Sequence, residues 1–181
     1  MSEVVSPSCM HNLITGVDPG TTQTAWVCYD MDAKLPVKFG LLPNEDLLAM
    51  IRNKGFVHDD SPKMAIEFVA SYGMPVGATV FETCVWVGRF IEAFLGSCRA
   101  NEKPLYRKVY RKDEKMHLCG TMKAKDGNIR QTIMDRYGST RELALGTKKT
   151  PGPLYGISKD IWAALAVAIT GCETSGEWRA N

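Results

Sequence analysis

The sequence predicts an α/β fold, a five-stranded mixed sheet of strand order 3-2-1-4-5 flanked by helices, and three observations predict it. Three short runs rich in β-branched and aromatic residues, 13–17, 24–29 and 36–41, follow one another across turns, the pattern of an antiparallel meander. Two more strand-like runs, 64–68 and 105–110, are set apart from the meander by stretches of helical character. A last, Ala-rich helix is apolar enough to pack on the sheet.

Each element has its own warrant. The first strand belongs to the run Leu13-Ile14-Thr15-Gly16-Val17-Asp18-Pro19-Gly20, which ends in an acid and turns at once on Pro-Gly. Asn44 is placed to cap a helix over 45–53, with Leu47, Leu48 and Ile51 on one face. The fourth strand is bounded by Ser61-Pro62 and ends near Glu67. A Gly/Pro-rich link over 72–77 leads into a long helix over 78–95, and the fifth strand follows. The segment 111–123 reads as a loop with a short helix. Ile129, Ile133 and Met134 give one apolar side to a helix over 126–137. Gly, Pro, Thr and Lys over 139–156 predict a mobile loop, and Ser158 is placed as the N-cap of a helix over 159–170. The chain thus divides into a flexible N-terminus (1–12), a single domain (13–172) and a polar tail (173–181).

At 181 residues and 20.0 kDa, with 45% hydrophobic residues, the chain is sized for one domain whose core needs no disulfides. No segment reaches the ~18–20 unbroken apolar residues that span a bilayer, and residues 1–11 carry no signal pattern. The expectation is a cytoplasmic protein. Cys9, Cys28, Cys84, Cys98, Cys119 and Cys172 include no CxxC pair and are expected to be free thiols. Cys9-Met10-His11 and His117-Leu118-Cys119 match no usual zinc spacing. The net charge is only +2, yet residues 99–149 hold 14 Lys and Arg against 6 Asp and Glu. That is a local charge of +8, so the remainder of the chain carries −6. A basic block beside acidic strand ends fits a phosphate-rich polymer held by one part and cut by the other; the plainer alternative is a solvated basic surface.

Asp18, Glu67 and Asp160 carry the chemistry. Strands one and four are neighbours in the expected order, so their acidic ends meet at one rim, and a helix packed on the sheet brings Asp160 there too. Two carboxylates forced together repel unless a cation sits between them. Each acid has an ordinary explanation: a turn Asp bonding its own backbone, a strand-end Glu, and a helix-start Asp favoured by the macrodipole. All three at one rim favour a hard divalent cation held against phosphate. Arg107, Lys108, Arg111 and Lys112 are placed to grip duplex arms by their backbones, and Lys115 or Lys125 to neutralise charge on the phosphate. Lys123, Lys148 and Lys149 extend that DNA-contact set. Phe68 and Tyr72 are candidates to stack on unpaired bases. Val80, Val85, Trp86, Val87, Phe90, Ile91 and Phe94 are more apolar surface than one sheet face needs, which predicts a dimer interface on the long helix.

Gly16-Val17-Asp18-Pro19-Gly20, Ala65-Ile66-Glu67 and Lys159-Asp160-Ile161-Trp162-Ala163-Ala164-Leu165-Ala166-Val167-Ala168 resemble, in order and spacing, the RuvC-type Holliday junction resolvases. The resemblance covers roughly 13–172 and is strongest to bacteriophage members. It implies a ribonuclease H-like fold, a homodimer, and paired Mg²⁺-dependent cuts across four-way DNA junctions, resolving recombination intermediates or debranching phage DNA. Two Mg²⁺ per active site are implied, with Mn²⁺ able to substitute. Carried over residue by residue, Asp18, Glu67 and Asp160 become metal ligands and Lys115, which precedes Gly120, a catalytic lysine. Two departures stand out. Ala163 occupies the place of a second acid in the pattern Asp-x-x-Asp-Ala-Leu-Ala, with Glu82, Asp126 and Glu173 as candidates to replace it. Lys125-Asp126 reverses the family's Asp-Lys order.

Three rival readings remain at this level. Asp18-Pro19-Gly20-Thr21-Thr22 also fits the phosphate loop of the actin, Hsp70 and sugar-kinase ATPases, which need about twice this length and a second phosphate loop. A junction-binding protein that has lost catalysis is supported by Ala163. A nuclease cutting forks and flaps as well as junctions is the third.

Overall fold

The structure is a computed structural model that describes residues 12–56, 61–70, 73, 75–99 and 101–180. β1 (Leu13–Pro19), β2 (Gln23–Asp30) and β3 (Leu35–Pro43) form the antiparallel meander. β4 (Lys63–Phe68) and β5 (Leu105–Tyr110) then join in parallel, giving the expected order β3-β2-β1-β4-β5. β1 is the middle strand and is buried from Leu13 to Val17 without alternation, as a strand covered on both faces must be.

Two apolar cores lie on the two faces of the sheet. α1 (Asn44–Arg52) and α2 (Ala78–Ser97) cover one, packing Leu47, Leu48, Ile51, Phe90 and Phe94 onto Val17, Met64 and Ile66. α6 (Ile161–Glu173) covers the other, flanked by α3 (Arg111–Cys119), α4 (Asp126–Tyr137) and α5 (Arg141–Leu145). Every residue of α6 from Ala164 to Gly171 is buried, which explains why it is apolar all round. Small residues let it sit close to β1. A Cβ added at Gly16 would meet the Ala164 carbonyl oxygen and come within 2.6 Å of Ala168 Cβ. Gly16→Ala should therefore push α6 off the sheet, at a cost of roughly 1–3 kcal/mol. A thermal melt would show the loss, about 2–4 °C per kcal/mol for a chain of this size; an unchanged melt would contradict so close an approach.

Several elements differ from the sequence expectation, each for a local reason. Asn44 is the first residue of α1 rather than its cap. Its side chain accepts a hydrogen bond from Thr24 Oγ1 (2.7 Å) and donates to the Gly20 carbonyl (3.0 Å). It thus pins the turn that follows Asp18, a tertiary use that cap statistics do not reveal. The segment after β5 is a regular helix, α3, which begins with no loop at all. The stretch 139–156 is anchored rather than free. It holds α5, the bridge between Gly146 and Pro151, and the fully buried Ala144 and Leu154. α6 starts at Ile161 and runs to Glu173, with Asp160 rather than Ser158 at its N-cap position. On α2, Val87, Phe90 and Phe94 turn into the core, Val80 and Ile91 are half-buried, and Trp86 stacks on Phe90. The exposed apolar side chains on that helix are Phe81 and Val85. Among the described residues no helix is long and apolar enough to cross a membrane, and no disulfide joins Cys28, Cys84, Cys98, Cys119 or Cys172.

Candidate functional site

Three strand ends converge on one rim. Val17 lies beside Ile66 in the parallel register of β1 and β4, so Asp18 and Glu67 are consecutive with a paired position. Glu67 in turn lies beside Val109, and Phe68 beside Tyr110, the last residue of β5. Arg111 follows at once as the first residue of α3, so that helix starts at the same rim.

The Asp18 and Glu67 carboxyl groups touch through a side-chain hydrogen bond. Burial pushes the Asp18 carboxyl far above the ordinary carboxylate range, and the hydrogen bond and charge of Glu67 and the charge of Glu114 push the same way. Two carboxyls can share a hydrogen bond only while one keeps its proton. Glu114, on α3, is fully buried and likewise held well above the usual range, first by burial and then by Glu67. Its Oε2 accepts from Arg111 Nη1 at 2.5 Å, while its Oε1 is buried with no hydrogen-bond partner.

Arg111 is the cation at the centre of these acids. It donates to Glu114 and to Asp126 at the start of α4. Burial pulls its proton affinity down, but Glu114, Asp126 and Glu67 more than reverse that. A small cavity of about 110 Å³ adjoins it, lined among others by Asp126, Lys159, Asp160 and Ala163. Asp160 therefore shares a cavity with Arg111 and Asp126, while Asp18 and Glu67 are not among the residues that line it. Its side chain makes no cap hydrogen bond to α6, so the ordinary role of a helix-start Asp is not used. The residue before it, Lys159, adopts a left-handed backbone with φ of 49°, an uncommon state for a residue with a side chain. A larger cleft, about 530 Å³, lies between β5, α3 and the tail; its acid is Asp113, without the clustered carboxyls of the rim.

Among the described residues, no three Asp, Glu, His or Cys side chains converge closely enough to form a finished metal cage. The donor set nonetheless fits a hard divalent cation: a carboxyl pair forced together, and a third buried carboxylate with one unsatisfied oxygen.

The other expected contacts divide sharply. Lys108 lies with Nζ 4.1 Å over the Phe68 ring, which packs edge-on against Tyr110. Lys112 is exposed, 5.8 Å over Tyr110. Lys115 is half-buried on α3 one residue beyond Glu114, and Lys123, Lys125, Lys148 and Lys149 are exposed. Tyr72 lies outside the described residues, as do Cys9 and His11. Arg107 has a different task. It is 5% exposed and donates to the carbonyls of Gly171 and Thr174 and to Thr174 Oγ1, all within 2.9 Å. Its charge secures the end of α6 inside the protein. Arg111, expected on duplex arms, is engaged by acids. Of the acids named as replacements at Ala163, Glu82 is exposed on α2, and Glu173 is bound to His117 and Arg136 at the far end of α6. Only Asp126 reaches the cluster. Glu114 was not anticipated: an acid in the first turn of a helix ordinarily serves the macrodipole, and only the spacing Arg111-x-x-Glu114, just after a strand end, hints otherwise.

No protein-family model and no curated protein matches the chain. Among solved structures, it is similar to Thermus thermophilus RuvC, with a TM-score of 0.58 at 16% identity over 87% of this chain and 92% of that one. It is also similar to T. thermophilus RuvC in complex with Holliday junction substrate, with a TM-score of 0.54 at 16% identity over 88% and 92%. The fold is the ribonuclease H-like fold of RuvC.

Proposed function

We propose that this chain is a divalent-cation-dependent endonuclease that binds four-way DNA junctions and cuts opposed strands, resolving or debranching such DNA as a homodimer. The observation that carries the reading is the Asp18–Glu67 pair, half-buried and hydrogen-bonded at the carboxyl ends of two central strands. Such an arrangement opposes folding unless function requires it. A junction-binding protein without catalysis would have less use for it, which favours the catalytic reading despite Ala163.

Asp18, Glu67 and Asp160 are the residues that would hold Mg²⁺, or Mn²⁺ in its place. The bound cation would supply Lewis acidity at a phosphodiester and ease deprotonation of the attacking water. The chain's own groups do the rest. Asp18, whose proton affinity is raised by burial and by Glu67, would have to be ionised to hold the cation, so cation affinity should rise with pH. Lys115 and Lys125 are placed to neutralise charge on the phosphate oxygens. Lys108 and Lys112 flank a platform of Phe68 and Tyr110 just beyond Glu67, where cationic contact with the DNA backbone and aromatic contact with an unpaired base combine. Lys123, Lys148 and Lys149 add exposed charge. Phe81 and Val85, exposed at 61% and 62%, are the patch on α2 available to a second copy.

The test is cleavage of matched junction, fork and duplex substrates with Mg²⁺ and with EDTA. Junctions should be cut and duplex spared. Equal cutting of forks would support the broader debranching reading, and cutting of plain duplex would overturn both.

A further inference from the structure

We propose that Glu114 is a further acid of the cation site, supplying from α3 the carboxylate that α6 lacks at Ala163. The inference rests on the reading of Asp18 and Glu67 as cation ligands, and it names a residue outside the sequence motifs.

The placement follows from register. β5 ends at Tyr110 beside Phe68, and α3 starts at the next residue, so its first turn begins at the rim where β4 ends and where β1, the neighbour of β4, carries Asp18. Glu114 is one turn into that helix and points inward, completely buried. One of its oxygens is satisfied by Arg111 and the other has no partner. Leaving a carboxylate oxygen unsatisfied in the interior is costly, and the ion pair with Arg111 engages only the other oxygen. The macrodipole of α3 would be served equally by an exposed acid, as Asp113 beside it already provides. The packing would be served by a leucine. The charge of Glu67 acts on Glu114, and that of Glu114 on Asp18, so the three acids lie within one another's field. Ala163 lines the small cavity beside Arg111, the residue that Glu114 engages, so α3 and α6 both border that guanidinium. Asp126 is the competing candidate, but it is exposed and faces Arg111 from outside.

The experiment measures Mn²⁺ binding by the full chain without DNA, by electron paramagnetic resonance of the free ion, with melting temperatures in parallel. Glu114→Gln, which preserves shape and can still accept from Arg111, should weaken Mn²⁺ binding by at least about tenfold in a folded protein. Adding Ala163→Asp to that variant should recover the affinity, because the carboxylate is then supplied from α6. Asp18→Asn is the control for the underlying reading. Loss in Asp18→Asn with wild-type binding in Glu114→Gln would overturn the assignment of Glu114 and leave the cation site standing; wild-type binding in both would overturn the cation site itself. A lower melting temperature with unchanged affinity marks a structural role and also overturns the assignment, as does failure of Ala163→Asp to recover binding. Should Glu114→Gln not fold, Glu114→Asp keeps the charge and withdraws the carboxylate by one methylene; weakened Mn²⁺ binding there supports the assignment and unchanged binding overturns it.

Discussion

Asp18→Asn is expected to abolish cutting of a four-way junction while making the protein more stable in EDTA at alkaline pH. The loss should reach at least about a thousandfold, since a cation ligand is worth several kcal/mol at the transition state. Junction binding should survive, because no DNA-facing cation is removed. The gain in stability follows from the raised proton affinity of Asp18, set first by burial and then by Glu67. A carboxyl whose affinity is raised on folding binds more protons folded than unfolded. Its contribution therefore grows less favourable as pH climbs from roughly 4, the unfolded value, towards the folded one. Asparagine escapes that penalty and can still donate from Nδ2 to Glu67. At pH 8 the variant should gain at least about 1 kcal/mol, roughly 2–4 °C. Melts in EDTA at pH 5.5 and 8 check this: the gap must widen with pH, and equal melting temperatures throughout would show that Asp18 and Glu67 are not pressed together.

Arg107→Met should produce the largest loss of stability. The guanidinium donates three hydrogen bonds, two to carbonyls at the end of α6, and lies 5.3 Å from the Trp178 ring. Hydrogen bonds from a charged donor contribute about 1.5–3 kcal/mol each, and their loss strands buried carbonyls. A cost of at least about 3 kcal/mol, or roughly 6–12 °C, is expected. Junction affinity per folded molecule and its salt dependence should stay at wild type. Lys108→Ala should do the reverse, leaving the melt within about 0.5 kcal/mol while lowering the salt slope of junction binding by about 1. A variant of Arg107 that melts normally but binds DNA weakly would return that residue to the duplex.

These contrasts show where sequence reading succeeds. The strands were legible because their apolar runs are bounded by turns, and strand order 3-2-1-4-5 by itself puts the ends of the strands that carry Asp18 and Glu67 side by side. Asp160 was legible as a helix-start acid, and the structure adds only that α6 begins one residue after it. The failures share a cause. α3 hides its periodicity because the position that should be apolar is Glu114, so burial of a charge erased the helical signal. Arg107 and Arg111 look alike in a basic run, yet one is consumed by carbonyls and the other by acids, and only tertiary packing distinguishes them. Val87, Phe90 and Phe94 were indistinguishable from interface residues until α1 and the sheet were placed against them.

The most direct measurement maps the nicks made in an immobile four-way junction by the wild-type protein with Mg²⁺, alongside Asp18→Asn and an EDTA control. Symmetrical nicks in two opposed strands, absent from both controls, are the expected result. Junction binding with no cleavage at any Mg²⁺ or Mn²⁺ concentration would contradict the assignment of Asp18, Glu67 and Asp160 as a nuclease centre.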